Sequence, residues 1–198
     1  MLSVITSLDW SDRIFRYHFD TARDALRDIP VDDERNFRSS LESLFTSSEE
    51  HDYKMLVIRA NVISCVHTAR NAYDHLAQLI NALILSSAIP VKDCDIKKVH
   101  KALPSSNLRQ ELDHLIASHW FQYVVAYSNT SKHRALVQQA LHLSFADGKA
   151  GVRTNAFTYD KDYPAYSVGD LLDGILEVKN NIVACGSALN SELLRANA

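Results

Sequence analysis

Glycine and proline are scarce in this sequence, with five and four residues among 198. Because both residues interrupt regular secondary structure, their scarcity favours long helices with few breaks. The three cysteines, Cys65, Cys94 and Cys185, are odd in number and show no CxxC spacing. This pattern is typical of reduced, buried thiols in a reducing compartment and excludes a disulfide framework.

A strong charge imbalance and a long apolar run are also missing. The net charge is −3, so no overall positive field attracts nucleic acid or an anionic membrane, and any nucleic-acid contact must come from a local patch. The most apolar stretch, residues 76–91, is interrupted by Gln78, Asn81 and Pro90 and falls short of the ~20 apolar residues that span a bilayer. The N-terminus lacks the basic region and apolar run of a secretory signal. We therefore expect a cytoplasmic protein without a membrane partner.

Motifs of cofactor and metal sites are absent as well. No GxSxG, P-loop or GxGxxG motif occurs, and the scattered histidines form neither HExxH nor a Cys/His quartet. We expect no cofactor and no dedicated metal site, and His67 with Asp74 is the pair that keeps a metal interpretation open.

Apolar residues recur with helical spacing through most of the chain. Hydrophobic residues make up 46% of the sequence and charged residues 23%, which is enough to bury a sizeable core. The helical period, with its caps and breaks, predicts most of the elements, and an alternating pattern after residue 134 predicts two strands around a turn at 147–151. The predicted helices cover residues 3–28, 34–46, 49–87, 95–103, 108–118 and 119–128, and a last helix runs from a capping box at 167–170 to about 195; the predicted strands cover 135–146 and 152–159.

The predicted fold class is mainly α. We expect a helical bundle of four or more long helices, with one small β-hairpin at about 135–160 inserted before the C-terminal helix. The whole chain, residues 1–198, is expected to form a single domain.

The helix around residue 70 carries an unusual polar strip. From Ala60 to Ile89 the only charged side chains are Arg70 and Asp74. At 100° per residue, six polar side chains fall within about 100° of one another, while apolar side chains occupy most of the remaining circumference. We name these six residues the polar seam: His67, Arg70, Asn71, Asp74, Gln78 and Asn81.

The polar seam has two open interpretations. Arg70 and Asp74 are four residues apart and can pair, so the seam is either a structural ion pair on a modestly exposed strip or a binding surface. Its amide and imidazole content is unusual for a plain solvent face. His75 lies to the side, about 140° from Arg70 on a straight helix.

A second polar group occurs in the run SNTSKHR, residues 128–134. Lys132, His133 and Arg134 are consecutive and follow a short polar turn where a helix is predicted to end. Arginine binds phosphate or carboxylate bidentately, lysine supplies a point charge, and histidine titrates near neutrality. The alternative is that these basic residues cap the end of the preceding helix.

These two groups carry a family resemblance. The run RNAYDH, Arg70 to His75, resembles the R-x(4–6)-H motif of HEPN domains, with Asn71 as the polar residue that often follows the arginine. The chain also resembles a group of bacterial hypothetical proteins in which an R-x-x-x-D-H-L helix is followed by N-x-x-K-H-R and then strands. The matching residues are Arg70, Asp74, His75 and Leu76, then Asn129, Lys132, His133 and Arg134.

The resemblance implies a fold, an activity and partners. HEPN domains are helical bundles that usually dimerise, and many resemble metal-independent endoribonucleases of toxin–antitoxin and phage-defence systems. By this resemblance the chain is a homodimer that acts on RNA, with a cognate antitoxin or another protein as a further partner. Arg70 and His75 are the candidate catalytic residues: Arg70 would hold the phosphate and His75 would act as acid or base.

The candidate binding residues surround these two in both groups. They are His67, Asn71, Asp74, Asn129, Lys132, His133 and Arg134. We expect residues 67–75 and 129–134 to lie within reach of one another, because buried polar groups need partners. The competing interpretation is a non-catalytic module that binds RNA, a nucleotide-like or anionic ligand, or another protein. A catalytic His75 should be open to solvent near Arg70, whereas a structural one should be buried with a fixed partner.

Overall fold

The computed structural model describes residues 2–27, 49–144, 146 and 149–196, and its secondary structure is mainly α, as predicted. The described helices are α1 (Leu2–Arg27), α2 (Glu49–Leu83), α3 (Ile96–Ala102), α4 (Asn107–Ala117), α5 (His119–His133) and α6 (Val168–Ala196). A 3₁₀ turn, Val91–Asp93, precedes α3. None of these helices combines the length and the apolar character needed to cross a lipid bilayer.

Short strands fill the chain between α5 and α6. They are β1 (Gln139–Ser144), β2 (Lys149–Thr154), β3 (Phe157–Thr158), β4 (Asp162–Tyr163) and β5 (Tyr166–Ser167). Antiparallel pairing joins β1, β2 and β5 in that order, and β3 pairs separately with β4. The predicted hairpin is confirmed, but its strands have other bounds. The first is Gln139–Ser144 rather than 135–146, and the second is Lys149–Thr154 rather than 152–159. Beyond it the chain folds back on itself, where the Tyr159 N–H donates to the Lys161 carbonyl at 3.1 Å.

The predicted helix boundaries hold with two changes. Helix α5 runs five residues further than predicted, and α2 ends at Leu83 rather than residue 87. The early end follows from Ser86 and Ser87, whose φ angles of 51° and 62° are left-handed and cannot continue an α-helix. The Asn81 amide then closes the loop by bonding both the carbonyl and the N–H of Ile89, at 2.8 and 3.1 Å. The predicted helix at 34–46 lies outside the described residues.

Short polar side chains set the starts of the later helices. The Asp95 carboxylate accepts from the Lys98 N–H at 2.9 Å, and the Ser106 hydroxyl accepts from the Arg109 N–H at 3.2 Å. Each bond satisfies a backbone donor that has no partner within the helix. The predicted capping box is also present: the Ser167 hydroxyl accepts from the Asp170 N–H at 3.0 Å and donates to its carboxylate at 2.7 Å.

The chain separates into two compact units. The first unit comprises Met1–Phe15, His67–Val125 and Gly174–Ala198, and the second comprises Arg16–Val66 and Ala126–Asp173. Each unit has its own set of buried apolar residues. Because α1, α2, α5 and α6 contribute residues to both units, each long helix has buried positions along most of its length.

The core of the first unit is built by one face of α2 and its neighbours. The predicted apolar circumference is confirmed at Tyr73, Leu76 and Ile80, which are 2%, 2% and 0% exposed, on a helix that is continuous from Glu49 to Leu83. The Tyr73 ring packs against Phe121 of α5, with ring centroids 4.9 Å apart. Other buried side chains of this core are Ile96, Val99, Leu103, Leu108, Leu112, Leu115, Tyr123, Val124, Ile175, Val178, Cys185 and Leu189.

In the second unit, an exposed arginine of α2 bonds to the first strand. The Arg59 guanidinium donates twice to the Gln139 carbonyl of β1, at 3.0 and 2.6 Å. Buried apolar residues of this unit come from its helices, from β2 and β4, and from the segment before β1: Ala22, Met55, Ile58, Val62, Cys65, Tyr127, Val137, Val152, Tyr163, Val168 and Leu171.

Gly174 allows α6 to pack closely against Trp120 in the first unit. A methyl group at this position would overlap three atoms of the indole ring. We expect Gly174→Ala to lower the free energy of unfolding by about 1–3 kcal/mol, because overpacking outweighs the helix propensity of alanine.

Gly186 on the same helix is the matched control, since a Cβ there meets no atom within 4 Å. Gly186→Ala is expected to raise stability by up to about 1 kcal/mol in the same urea titration. The penalty at position 174 should disappear when Trp120→Ala is combined with it. A penalty that persists in the double variant would show that the indole contact is not its cause.

Candidate functional site

The polar seam of α2 contains an ion pair over an aromatic ring. The Arg70 Nη1 atom pairs with the Asp74 carboxylate, as the four-residue spacing predicts, and the two side chains are 23% and 33% exposed. The Arg70 guanidinium also lies over the Tyr73 ring, 4.4 Å from its centroid. This arrangement holds the arginine in one place and compensates part of its charge.

Tyr73 places a polar atom inside the first unit. Its hydroxyl is buried and finds no hydrogen-bond partner among the described residues. Burial raises the pKa of Tyr73 well above its usual range, Arg70 opposes this shift, and Asp74 adds to it. The phenol is therefore neutral at physiological pH and serves as a platform for the guanidinium rather than as a base.

His75 is neither open to solvent, as expected of a catalytic histidine, nor buried with a fixed partner, as expected of a structural one. The side chain is half-buried, and its Nδ1 atom is buried without a hydrogen-bond partner among the described residues. It thus lacks the fixed partner expected of a structural histidine, although it is not fully open to solvent. A ring nitrogen without a fixed partner leaves the tautomer free to change.

The remaining residues of the polar seam differ in exposure. Asn71 is exposed, and His67 and Gln78 are half-buried. Asn81 is buried and is occupied in the loop closure with Ile89. The structural interpretation therefore holds for Asn81, while Asn71 is available to solvent.

The segment 129–134 divides into engaged and exposed side chains. The Asn129 amide donates to the Tyr159 hydroxyl at 3.2 Å. The Arg134 guanidinium donates to the Thr158 and Tyr159 carbonyls at 3.0 and 3.2 Å and lies 4.9 Å from the centre of the Tyr159 ring. Lys132 and His133 are exposed. Two of the four candidate binding residues therefore have partners within the protein.

The two polar groups belong to different compact units. Residues 67–75 lie in the first unit and residues 129–134 in the second. The expectation that they lie within reach of one another stays a prediction.

Asp74 has a neighbour that sequence reasoning missed. Cys94, just before α3, is half-buried rather than buried as predicted, because it follows an exposed 3₁₀ turn. Burial, then Asp95 and Asp74, raise the pKa of the Cys94 thiol. Cys65 and Cys185 are fully buried as predicted, and burial raises the pKa of each thiol to about 12. No local motif links positions 74 and 94, so sequence carried no signal for this neighbourhood.

This neighbourhood gives a chemical test of the position of Asp74. In Asp74→Asn the Cys94 thiol loses a carboxylate that raises its pKa, so a larger fraction is thiolate at pH 8. We expect iodoacetamide to alkylate Cys94 faster in the variant than in the parent, measured by peptide mass spectrometry. Cys65 and Cys185 are internal controls and should stay unmodified, since general loosening would expose them too. An unchanged or slower rate at Cys94 would show that the Asp74 carboxylate does not raise the pKa of this thiol.

The second unit contains an open groove that sequence reasoning also missed. Its volume is about 760 Å³, and it is lined by residues 19–27 of α1, by Gly151 and Val152 of β2, and by the start of α6. The Arg23 side chain pairs with Asp173 at 2.5 Å, and Arg27 pairs with Asp24 at 2.9 Å. Because its arginines have carboxylate partners, the groove shows no excess of either charge.

The described residues contain no group of three or more His, Cys, Asp or Glu side chains placed to hold a metal ion. No protein-family model, no curated protein and no solved structure matches the chain. The resemblance to HEPN domains therefore depends on the motif residues named above.

Proposed function

We propose that the chain is a HEPN-like protein that binds and cleaves RNA through Arg70 and His75, as a cytoplasmic homodimer of a toxin or phage-defence system. The observation that carries the proposal is the state of His75. Its Nδ1 atom has no hydrogen-bond partner among the described residues, on a helix whose charged neighbours are Arg70 and Asp74. Histidine is the side chain that most often acts as general acid or base, and no hydrogen bond within the described residues fixes this ring nitrogen.

The reaction assigns a role to each residue. Cleavage by the 2′-hydroxyl needs a base for its proton, an acid for the 5′-oxygen, and cations for the charge on the phosphorane. His75 is the acid or base. Arg70 carries five N–H donors, and Asp74 engages the Nη1 group, so the guanidinium keeps donors for a phosphate. Asn71 is exposed next to Arg70 and would orient the substrate.

Dimerisation supplies what one subunit lacks. Arg70 and His75 point about 140° apart on a straight helix, so one subunit does not aim both at a single phosphate. Two copies related by a twofold axis present two of each residue. In this arrangement the arginine of one subunit and the histidine of its partner serve one scissile bond, and a cognate antitoxin would act by covering that surface.

A second function is favoured by the ion pair itself. The Arg70 charge is partly compensated by Asp74, and its guanidinium is stacked on Tyr73. These contacts suit a module that binds RNA or another protein without catalysis. In such a module the ion pair of Arg70 with Asp74 would hold the side chains of the α2 surface in one arrangement.

The two functions are separated by one assay. Purified parent protein is incubated with mixed cellular RNA in EDTA, beside Arg70→Ala and His75→Ala. Arg70→Ala removes stabilisation of developing charge, so we expect a loss of ~10²–10³-fold in cleavage rate. Cleavage that both variants lose supports the enzyme. Equal inactivity of all three proteins, with unchanged dimerisation by sedimentation, leaves the binding module.

Arg13→Ala is the matched control for the arginine. Arg13 forms a four-residue ion pair with Asp9 at 3.0 Å and lies 5.8 Å from the centre of the Trp10 ring, so it repeats the local chemistry of Arg70. The proposal assigns it no role, so its substitution should leave cleavage unchanged.

A further inference from the structure

Tyr159 is held at both ends of its side chain by residues of segment 129–134. Its hydroxyl accepts from the Asn129 amide, and its ring lies under the Arg134 guanidinium, which also bonds its backbone carbonyl. The helical backbone bonding of α5 continues to Arg134, whose N–H donates to the Thr130 carbonyl at 2.9 Å. Five residues of helix span about 7.5 Å, a distance that the length of a tyrosine side chain can bridge. We name Asn129, Arg134 and Tyr159 the tyrosine clamp.

The turn that carries Tyr159 is itself well ordered by short contacts. The Thr158 hydroxyl donates to Asp162 at 2.7 Å, and the Tyr163 hydroxyl donates to Asp160 at 2.9 Å. The Phe157 ring stacks on Tyr163 with centroids 5.1 Å apart. The tyrosine clamp therefore attaches a preformed turn to the end of α5.

Lys132 and His133 stand apart from the tyrosine clamp. Both side chains are exposed, and neither has a hydrogen bond or an ion pair within the described part of the chain. In a protein with a net charge of −3, Lys132 is an exposed positive charge next to a fixed turn, and the exposed His133 imidazole beside it can donate a hydrogen bond to a phosphate oxygen.

We infer that segment 129–134 has two separate roles. Asn129 and Arg134 hold Tyr159 and its turn in place. Lys132 and His133 contact the phosphates of single-stranded RNA. The inferred contact of Lys132 and His133 with RNA, the RNA half of the inference, rests on the proposed function. The inferred hold of Asn129 and Arg134 on Tyr159, the clamp half, does not. Arg134 is then a structural residue, although its type and position in the motif suggest a phosphate ligand.

Hydrogen exchange tests the clamp half without RNA. Asn129→Ala and Tyr159→Phe remove the same hydrogen bond, so each should speed amide exchange across residues 157–163 by about 2- to 10-fold, and the double variant should add nothing further. Arg134→Lys keeps the charge but lacks the planar guanidinium that donates to two carbonyls. This substitution should therefore also speed amide exchange across residues 157–163. Unchanged exchange in these variants, or full additivity of the first two, would overturn the clamp.

Salt-dependent binding tests the RNA half. The probe is a labelled single-stranded RNA oligonucleotide of mixed sequence, followed by fluorescence anisotropy. We expect Lys132→Gln and His133→Ala to weaken binding about 3- to 10-fold, and Lys132→Gln to reduce the slope of log K against log salt by about 0.7. Arg134→Lys, Asn129→Ala and the control Lys97→Gln, an exposed lysine of α3, should stay within about twofold of the parent.

The outcomes separate the two proposals. If Asn129→Ala or Arg134→Lys loses as much affinity as Lys132→Gln, the division of roles is wrong. If the parent binds no RNA, the proposed function and the RNA half fail together, and the exchange data still decide the clamp half. If RNA binding is intact in Lys132→Gln and His133→Ala, the RNA half alone is overturned.

Discussion

Replacing His75 by alanine is expected to slow RNA cleavage on the order of 10²–10⁴-fold, the range for loss of a general acid or base. The reason is chemical: the proposal gives the acid or base role to the His75 imidazole, the side-chain type that most often fills it, whereas burial raises the pKa of the Tyr73 phenol. RNA binding should change much less than the rate, because the imidazole acts mainly in the transition state. The measurement is single-turnover cleavage, with binding measured separately.

His100→Ala is the matched control for His75→Ala. His100 is also half-buried, but its Nε2 atom has a fixed partner in the Asp113 carboxylate at 2.6 Å. Removing it should leave the cleavage rate unchanged. If His100→Ala and His75→Ala lose activity equally, the loss reflects general destabilisation, and the assignment of His75 as acid or base is wrong.

The sequence predicted α2 well because its evidence is local. A helix with two charged residues between Ala60 and Ile89 must bury most of its circumference, and Tyr73, Leu76 and Ile80 of its apolar side are buried. The ion pair of Arg70 with Asp74 follows equally from a spacing of four. The capping box at 167–170 is another local pattern and is present.

Features that depend on distant residues could not be predicted in this way. The end of α2 is set by Asn81 bonding to Ile89 and by left-handed serines, a conformation that serine sequences do not signal. The partners of Asn129 and Arg134 are on a turn 24 to 30 residues further along the chain. A motif read without tertiary contacts therefore assigns every polar side chain to a ligand, although some of them hold the fold.

The residues of the polar seam have different environments. Exposure and hydrogen bonds distinguish Asn81, which closes a loop, from Asn71, which faces solvent. Arg70, stacked on Tyr73 and paired with Asp74, suits both a phosphate site and a structural pair. Activity of the variants is the observation that separates these roles.

Truncating Leu76 to alanine is expected to lower the free energy of unfolding by ~2–5 kcal/mol, because it removes a 2%-exposed side chain from the core of the first unit and leaves a cavity. Both tryptophans of the chain, Trp10 and Trp120, lie in that unit, so the urea transition followed by tryptophan fluorescence reports on it directly.

Leu56→Ala is the control for this substitution, since Leu56 is on the same helix with 60% exposure. Its effect should stay within about 0.5 kcal/mol, because an exposed leucine gives up little buried area and alanine is the better helix former. Circular dichroism followed in the same titration shows whether the whole chain unfolds with the tryptophans. Equal, small effects of the two substitutions would mean that the α2 face bearing Tyr73, Leu76 and Ile80 is not the packed core, and the burial on which the site argument depends would have to be abandoned.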